Sequence, residues 1–124
     1  MKILLVEDEI LVQKSLGKML QRRGHLVSLT ANGKEAINLL SKEKYDRIIC
    51  DLMLQDITGF DVIEEAKRYY TADEIESRFV IITAYSSDFV LKKALNYRCK
   101  VINKPFDNLE ETIQLLVGTP CEVK

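Results

Sequence analysis

Five short runs of branched and apolar residues, each followed by a stretch with helical spacing, constrain this chain more than any other feature. "KILLV" (Lys2–Val6), "HLVSLT", "DRIIC", "RFVIIT" and "KVIN" have the length and side chains of buried strands. After the first, Val12, Leu16, Met19 and Leu20 share one face of a helix expected over 10–23, which Gly24 stops. Asn32-Gly33 breaks the chain after the second run, and Ala36, Ile37 and Leu40 mark the second helix. A polar loop with Gln55, Asp56, Thr58 and Gly59 leads from the third run to a helix over 60–70, with Val62, Ile63 and Ala66 inward. "TADEIES" reads as a polar connector. A fourth helix follows in "SSDFVLKKALN", capped by Ser86 or Ser87, with Asn96 placed for a left-handed end. The fifth spans Leu109–Val117, before Gly118 and Pro120. Strands alternating with helices in this way imply an α/β fold, a parallel sheet covered on both faces. Right-handed crossovers leave few ways to connect it.

Composition narrows the class. With 124 residues, 47% hydrophobic and 30% charged, the chain suits one globular domain with a real core. A net charge of −1 gives no basic footprint, so direct nucleic-acid binding by this domain is not expected. No apolar run reaches the roughly 18 residues of a membrane helix. Acids follow the apolar start "MKILLVEDE" at once, so it is not a signal peptide. Cys50, Cys99 and Cys121 are odd in number and form no CxxC, which suggests neither a disulfide framework nor a zinc site and fits a reducing cytoplasm. The sole histidine, His25, reads as a surface or edge residue.

In sheets of this kind ligands gather at the carboxyl ends of the strands. There the sequence places Glu7-Asp8 after strand one, Asp51 after strand three, Thr83 after strand four and Lys104-Pro105 after strand five. Asp51 alone would read equally well as a strand terminator, and Glu7 and Asp8 as acids at a helix start. Together, three carboxylates repel one another and need a proton or a cation, and one ammonium does not neutralise three. All-oxygen donors suit a hard cation, magnesium above all. A carboxylate left free beside that cation is a nucleophile for phosphorus, with Thr83 and Lys104 placed to meet phosphoryl oxygens.

"LLVEDE", "CDLMLQDITGFD", "VIITAY" and "NKPF", in that order, resemble the motifs of response-regulator receiver domains, the phosphoacceptor modules of two-component signalling. The resemblance implies a doubly wound, flavodoxin-like (βα)5 fold with strand order 2-1-3-4-5, occupying 1–118, with 119–124 as a tail or the start of a linker. It implies that Asp51 accepts a phosphoryl group from a histidine kinase or a histidine phosphotransfer protein. It assigns Mg2+ to Asp8 and Asp51 directly, Glu7 through water, and the backbone carbonyl of Met53. Thr83 is then the switch hydroxyl, Lys104 the phosphate bridge, and Lys104–Pro105 a cis bond, which only proline makes cheap. Output, and homodimer formation, would use the face formed by helix four, strand five and helix five. The domain would be no enzyme beyond slow self-dephosphorylation.

Several positions depart from the family pattern. Glu7 stands where Asp is commoner, Gln55 replaces a loop proline, and Val101 replaces the aromatic that normally moves with the switch hydroxyl. Tyr85 either flanks the phosphate or packs as a half-buried residue. Three other functions compete. An aspartyl phosphohydrolase usually has a second Asp two residues past its nucleophile, where this chain has Met53. A decayed interaction module would not keep the full acid, threonine and lysine set. A flavodoxin-type cofactor binder needs a glycine or hydroxyl cradle, which "EDEILVQ" lacks.

Overall fold

A computed structural model describes residues 1–84, 87–104 and 109–117. Its strands are β1 (Lys2–Val6), β2 (Leu26–Thr30), β3 (Arg47–Asp51), β4 (Phe79–Thr83) and β5 (Lys100–Asn103). All pair in parallel, in the order β2-β1-β3-β4-β5. The helices are α1 (Ile10–Arg22), α2 (Gly33–Lys42), α3 (Gly59–Ala66), α4 (Ala72–Arg78), α5 (Asp88–Tyr97) and α6 (Leu109–Val117). The doubly wound five-stranded sheet is therefore as expected.

Alternation along the strands builds two cores. Leu4, Val6, Ile48, Cys50, Phe79 and Ile81 face one way and pack with Ala36, Leu40, Val62, Ile63, Ile75 and Ala94 from α2, α3, α4 and α5. Ile3, Leu5, Ile49, Val80 and Ile82 face the other and meet Leu16 and Leu20 of α1 and Ile113 and Leu116 of α6. Because both faces are covered, β3 and β4 are buried at every position, and apart from the polar Arg47, Asp51 and Thr83 at their ends they read as continuous apolar runs. The edge strand β2 is half exposed and carries Ser28. Cys50 lies wholly inside, its thiol pushed well above the ordinary range by burial and then by the nearby carboxylates.

Three local expectations are corrected. "TADEIES" is no connector but most of α4. Thr71 and Glu74 form a capping box: Thr71 Oγ1 accepts the Glu74 amide at 3.1 Å, and Glu74 Oε1 accepts the Thr71 amide at 2.9 Å. The short helix is anchored by the buried Ile75. The third helix stops at Ala66 rather than running to residue 70. A turn there carries Tyr70 into the core, where its hydroxyl accepts the Tyr45 amide at 2.9 Å. Asn96 remains inside α5, and Arg98 takes the left-handed position with φ 58°. Ser87, one of the two proposed caps, accepts the Val90 amide at 3.3 Å. The expectations for Tyr85, the Lys104–Pro105 bond and the segment after 117 lie outside the described residues.

Candidate functional site

Parallel pairing brings the carboxyl ends of all five strands to one edge. Asp51 pairs in register with Ile82, and Thr83 with Asn103, so the ends of β3, β4 and β5 lie side by side there. The Lys104 amide donates to the Thr83 carbonyl at 2.8 Å, continuing the ladder one residue past β5. On the other side of β3, the Glu7 amide donates to the Thr30 carbonyl at 3.0 Å.

The acids and the ammonium meet as the strand ends predicted. Lys104 Nζ lies 2.7 Å from Glu7 Oε1 and 2.9 Å from Asp51 Oδ2. Carboxylate oxygens of Glu7, Asp8 and Asp51 all fall within 4.8 Å of one another. Glu7, Asp51 and Thr83 are buried, and Asp8 is half-buried. Burial, reinforced by Asp51 beside it and only partly countered by Lys104, pushes the Glu7 carboxyl up to about 7. For Lys104, burial alone would favour the neutral amine, but contacts with Glu7 and Asp51 outweigh it and keep the ammonium charged above its ordinary range.

The loop after β3 is shaped by its backbone. Asp51 Oδ1 accepts the Met53 amide at 3.1 Å, and Met53 bridges Thr58 in antiparallel fashion. Thr58 and Asp61 then form the capping box of α3. Gly59 is required by close approach rather than by an unusual φ. A Cβ there would stand 2.9 Å from the Asp51 carbonyl oxygen and 3.1 Å from Leu52 Cα.

Two contributors were not found in the sequence. Glu9, exposed at the start of α1, reaches Lys104 Nζ at 3.3 Å. Gln13 Nε2 donates to the carbonyls of Glu7 and Thr30 at 3.0 and 3.1 Å, tying the chain after β1 to the end of β2. Glu9 continues the acidic run that drew attention to Glu7 and Asp8. Gln13 gives no local signal, because what it joins is the chain just after β1 and the end of β2.

The donor set suits a hard cation: three carboxylates on one edge, with no sulfur or imidazole among the grouped side chains. The same edge holds a buried hydroxyl and an ammonium. It can therefore bind a small divalent ion and place negative charge beside a second cation.

A family model described as the response regulator receiver domain matches residues 3–116. The transcriptional regulatory protein CrdR of Helicobacter pylori is 30% identical over 86% of this chain and 49% of its own length. A probable transcriptional regulator, ycf29 of Porphyra purpurea, is 30% identical over 92% of this chain and 54% of its own length. The chain thus spans about half the length of these curated relatives. Among solved structures, the non-phosphorylated HemR receiver domain of Leptospira biflexa aligns with a TM-score of 0.81 and 29% identity, covering 92% of this chain and 90% of that one. The receiver domain of a Pseudomonas aeruginosa sensor histidine kinase, solved with magnesium coordinated in its active site cleft, aligns with a TM-score of 0.76 and 26% identity, covering 95% and 98%.

Proposed function

This chain belongs to the response regulator receiver domain family, and on that premise we propose that it is a phosphorylation-switched signalling domain whose phosphoacceptor is Asp51. The observation that carries the reading is Lys104 seated between Asp51 and Glu7, at an edge where three carboxylates converge. An Asp51 oxygen forms the new P–O bond as the P–N bond of a phosphohistidine breaks, and the departing imidazole nitrogen keeps the bonding pair. The donor would be a histidine kinase or a histidine phosphotransfer protein, and the domain would act in the cytoplasm. Among the described residues no helix is long and apolar enough to cross a membrane.

Asp8, Asp51 and the Met53 carbonyl would hold Mg2+, with Glu7 contributing through water. Bound there, the ion supplies positive charge to the transferring phosphoryl oxygens. Lys104 already stands at Asp51 and offers its ammonium to the same developing charge. The buried Thr83 hydroxyl, one register step beyond Asp51 on the neighbouring strand, is the group that would follow the phosphate. Turnover would be limited to slow self-dephosphorylation, since Met53 stands where a phosphohydrolase would carry its acid–base Asp.

The face formed by α5, β5 and α6, the fourth helix of the sequence reading having become α5, is the proposed output and homodimer surface. Phe89, Leu91 and Leu95 are exposed on α5 in support.

Incubation with acetyl phosphate or beryllofluoride, with and without Mg2+, tests the reading. The expected result is a magnesium-dependent mass gain from acetyl phosphate that Asp51→Asn abolishes. No gain in the parent protein would overturn it, and fast multiple turnover would favour a hydrolase.

A further inference from the structure

The loop that carries Met53 is held from outside by a residue the mechanism does not use. Asp56 Oδ1 accepts the Gly33 amide and Asp56 Oδ2 the Lys34 amide, both at 2.9 Å. These are the first two amides of α2, which have no partner within their own helix. The next two are met locally: Asn32 Oδ1 accepts the Glu35 amide at 2.8 Å, and the Asn32 carbonyl accepts the Ala36 amide at 3.2 Å. The end of α2 is therefore completed only when the β3–α3 loop lies against it. Burial alone would push the Asp56 carboxyl up, but the amides of Gly33, Lys34, Ile57 and Asp56 itself together hold it below its ordinary range.

Packing closes the same joint. A Cβ on Gly33 would fall 2.4 Å from Ile57 Cγ1, 2.7 Å from Ile57 Cδ1 and 3.2 Å from Leu54 Cδ1. Leu54 and Ile57, on either side of Asp56, pack against the core shared by α2 and α3. The loop lacks the family's proline, with Gln55 in its place, so its shape is not set by a ring.

We infer that Asp56 is a positioning residue: by clasping the first two amides of α2 it fixes the loop that presents Met53 beside Asp51, and so sets the affinity of the edge for its divalent ion. The inference rests on the metal reading above. Outer groups that orient ligands commonly contribute 10–100-fold to metal affinity. Here one backbone ligand among several depends on the clasp, so a loss of about 5–10-fold is expected.

The test is calorimetric titration of Mg2+ into the parent chain, Asp56→Ala, Asp56→Asn and Asn32→Ala, with amide exchange at Met53 followed in metal-free protein. Asn32→Ala weakens the same helix end without touching the loop. Asp56→Ala should raise the Kd about 5–10-fold and speed Met53 exchange. Asp56→Asn, which keeps one acceptor oxygen, should fall between, and it serves if the alanine variant does not fold. Asn32→Ala should bind within about 2-fold of the parent, since it leaves the ligand loop in place. Equal affinity in the parent and both Asp56 variants overturns this inference alone, as does an equal loss in Asn32→Ala. A parent that binds no Mg2+ overturns the metal reading and this inference with it.

Discussion

Strand β3 buries a charge at each end, and the two ends are treated in opposite ways. At its start, Arg47 is 3% exposed and donates to the Ser77 carbonyl at 2.8 Å and the Val117 carbonyl at 3.2 Å. Those carbonyls belong to the last turns of α4 and α6, where the helix dipole and orphan acceptors favour a cation. At its finish, Asp51 is 4% exposed and sits among other carboxylates, with one ammonium shared between it and Glu7. At the first end, the carbonyls of two helices accept from the guanidinium and tie three elements together. The second concentrates like charge, which folding alone would not select and which a bound cation would relieve. Burial of a charge therefore does not separate structure from function here; the crowding of like charge around Asp51 does.

The contrast is sharpest in Asp51→Asn and Arg47→Met. Asp51→Asn should remove phosphoryl uptake altogether, read as loss of the mass gain, while unfolding free energy stays within about 1 kcal/mol of the parent because one of several like charges disappears. Arg47→Met should do the reverse. Urea unfolding should show a loss of about 2–4 kcal/mol from the abandoned carbonyls and the lost buried guanidinium, with Asp51 still modified in the folded fraction. Full phosphoryl uptake by Asp51→Asn, or parent stability in Arg47→Met, would show that the two ends of β3 do not divide chemistry from stability.

A smaller effect is expected where structure and chemistry touch. Gly59→Ala should cost about 1–3 kcal/mol, since its Cβ would press on the Asp51 carbonyl and the Leu52 backbone. Unlike Arg47→Met, it should also slow phosphorylation, measured as the rate of mass gain. Smallest of all, and away from both ends of β3, Arg98→Gly should stabilise the chain by about 0.5–1 kcal/mol in thermal melts. It would relieve a left-handed backbone that glycine tolerates, less the weak exposed contact of Arg98 with Glu76 at 3.6 Å.

The parts of the molecule visible in the sequence were those with a local period or a place at a strand end. Strand runs such as "RIICD" and "FVIIT" are continuous because both faces are covered. Once they are located, Glu7, Asp8, Asp51, Thr83 and Lys104 fall onto one edge by topology alone. Helix α4 was missed although Thr71 and Glu74 spell a capping box, because the segment is short and has one buried apolar anchor, Ile75, rather than a stripe. Arg98 was missed because the left-handed position went to a residue type that prefers it rather than to the place where α5 runs out. Gln13, Arg47 and Asp56 could not be read in advance. Each satisfies backbone groups 17 to 70 residues away, and such partners leave no periodicity behind.

Cys50 gives the molecule an internal clock. Its thiol is wholly enclosed next to Asp51, and burial keeps it far from the reactive thiolate. An alkylating reagent can reach it only while the centre of the sheet is open, so the labelling rate of Cys50 counts openings of β3. Any event at Asp51 that tightens or loosens that strand would change this count, with the chain's own cysteine as the probe.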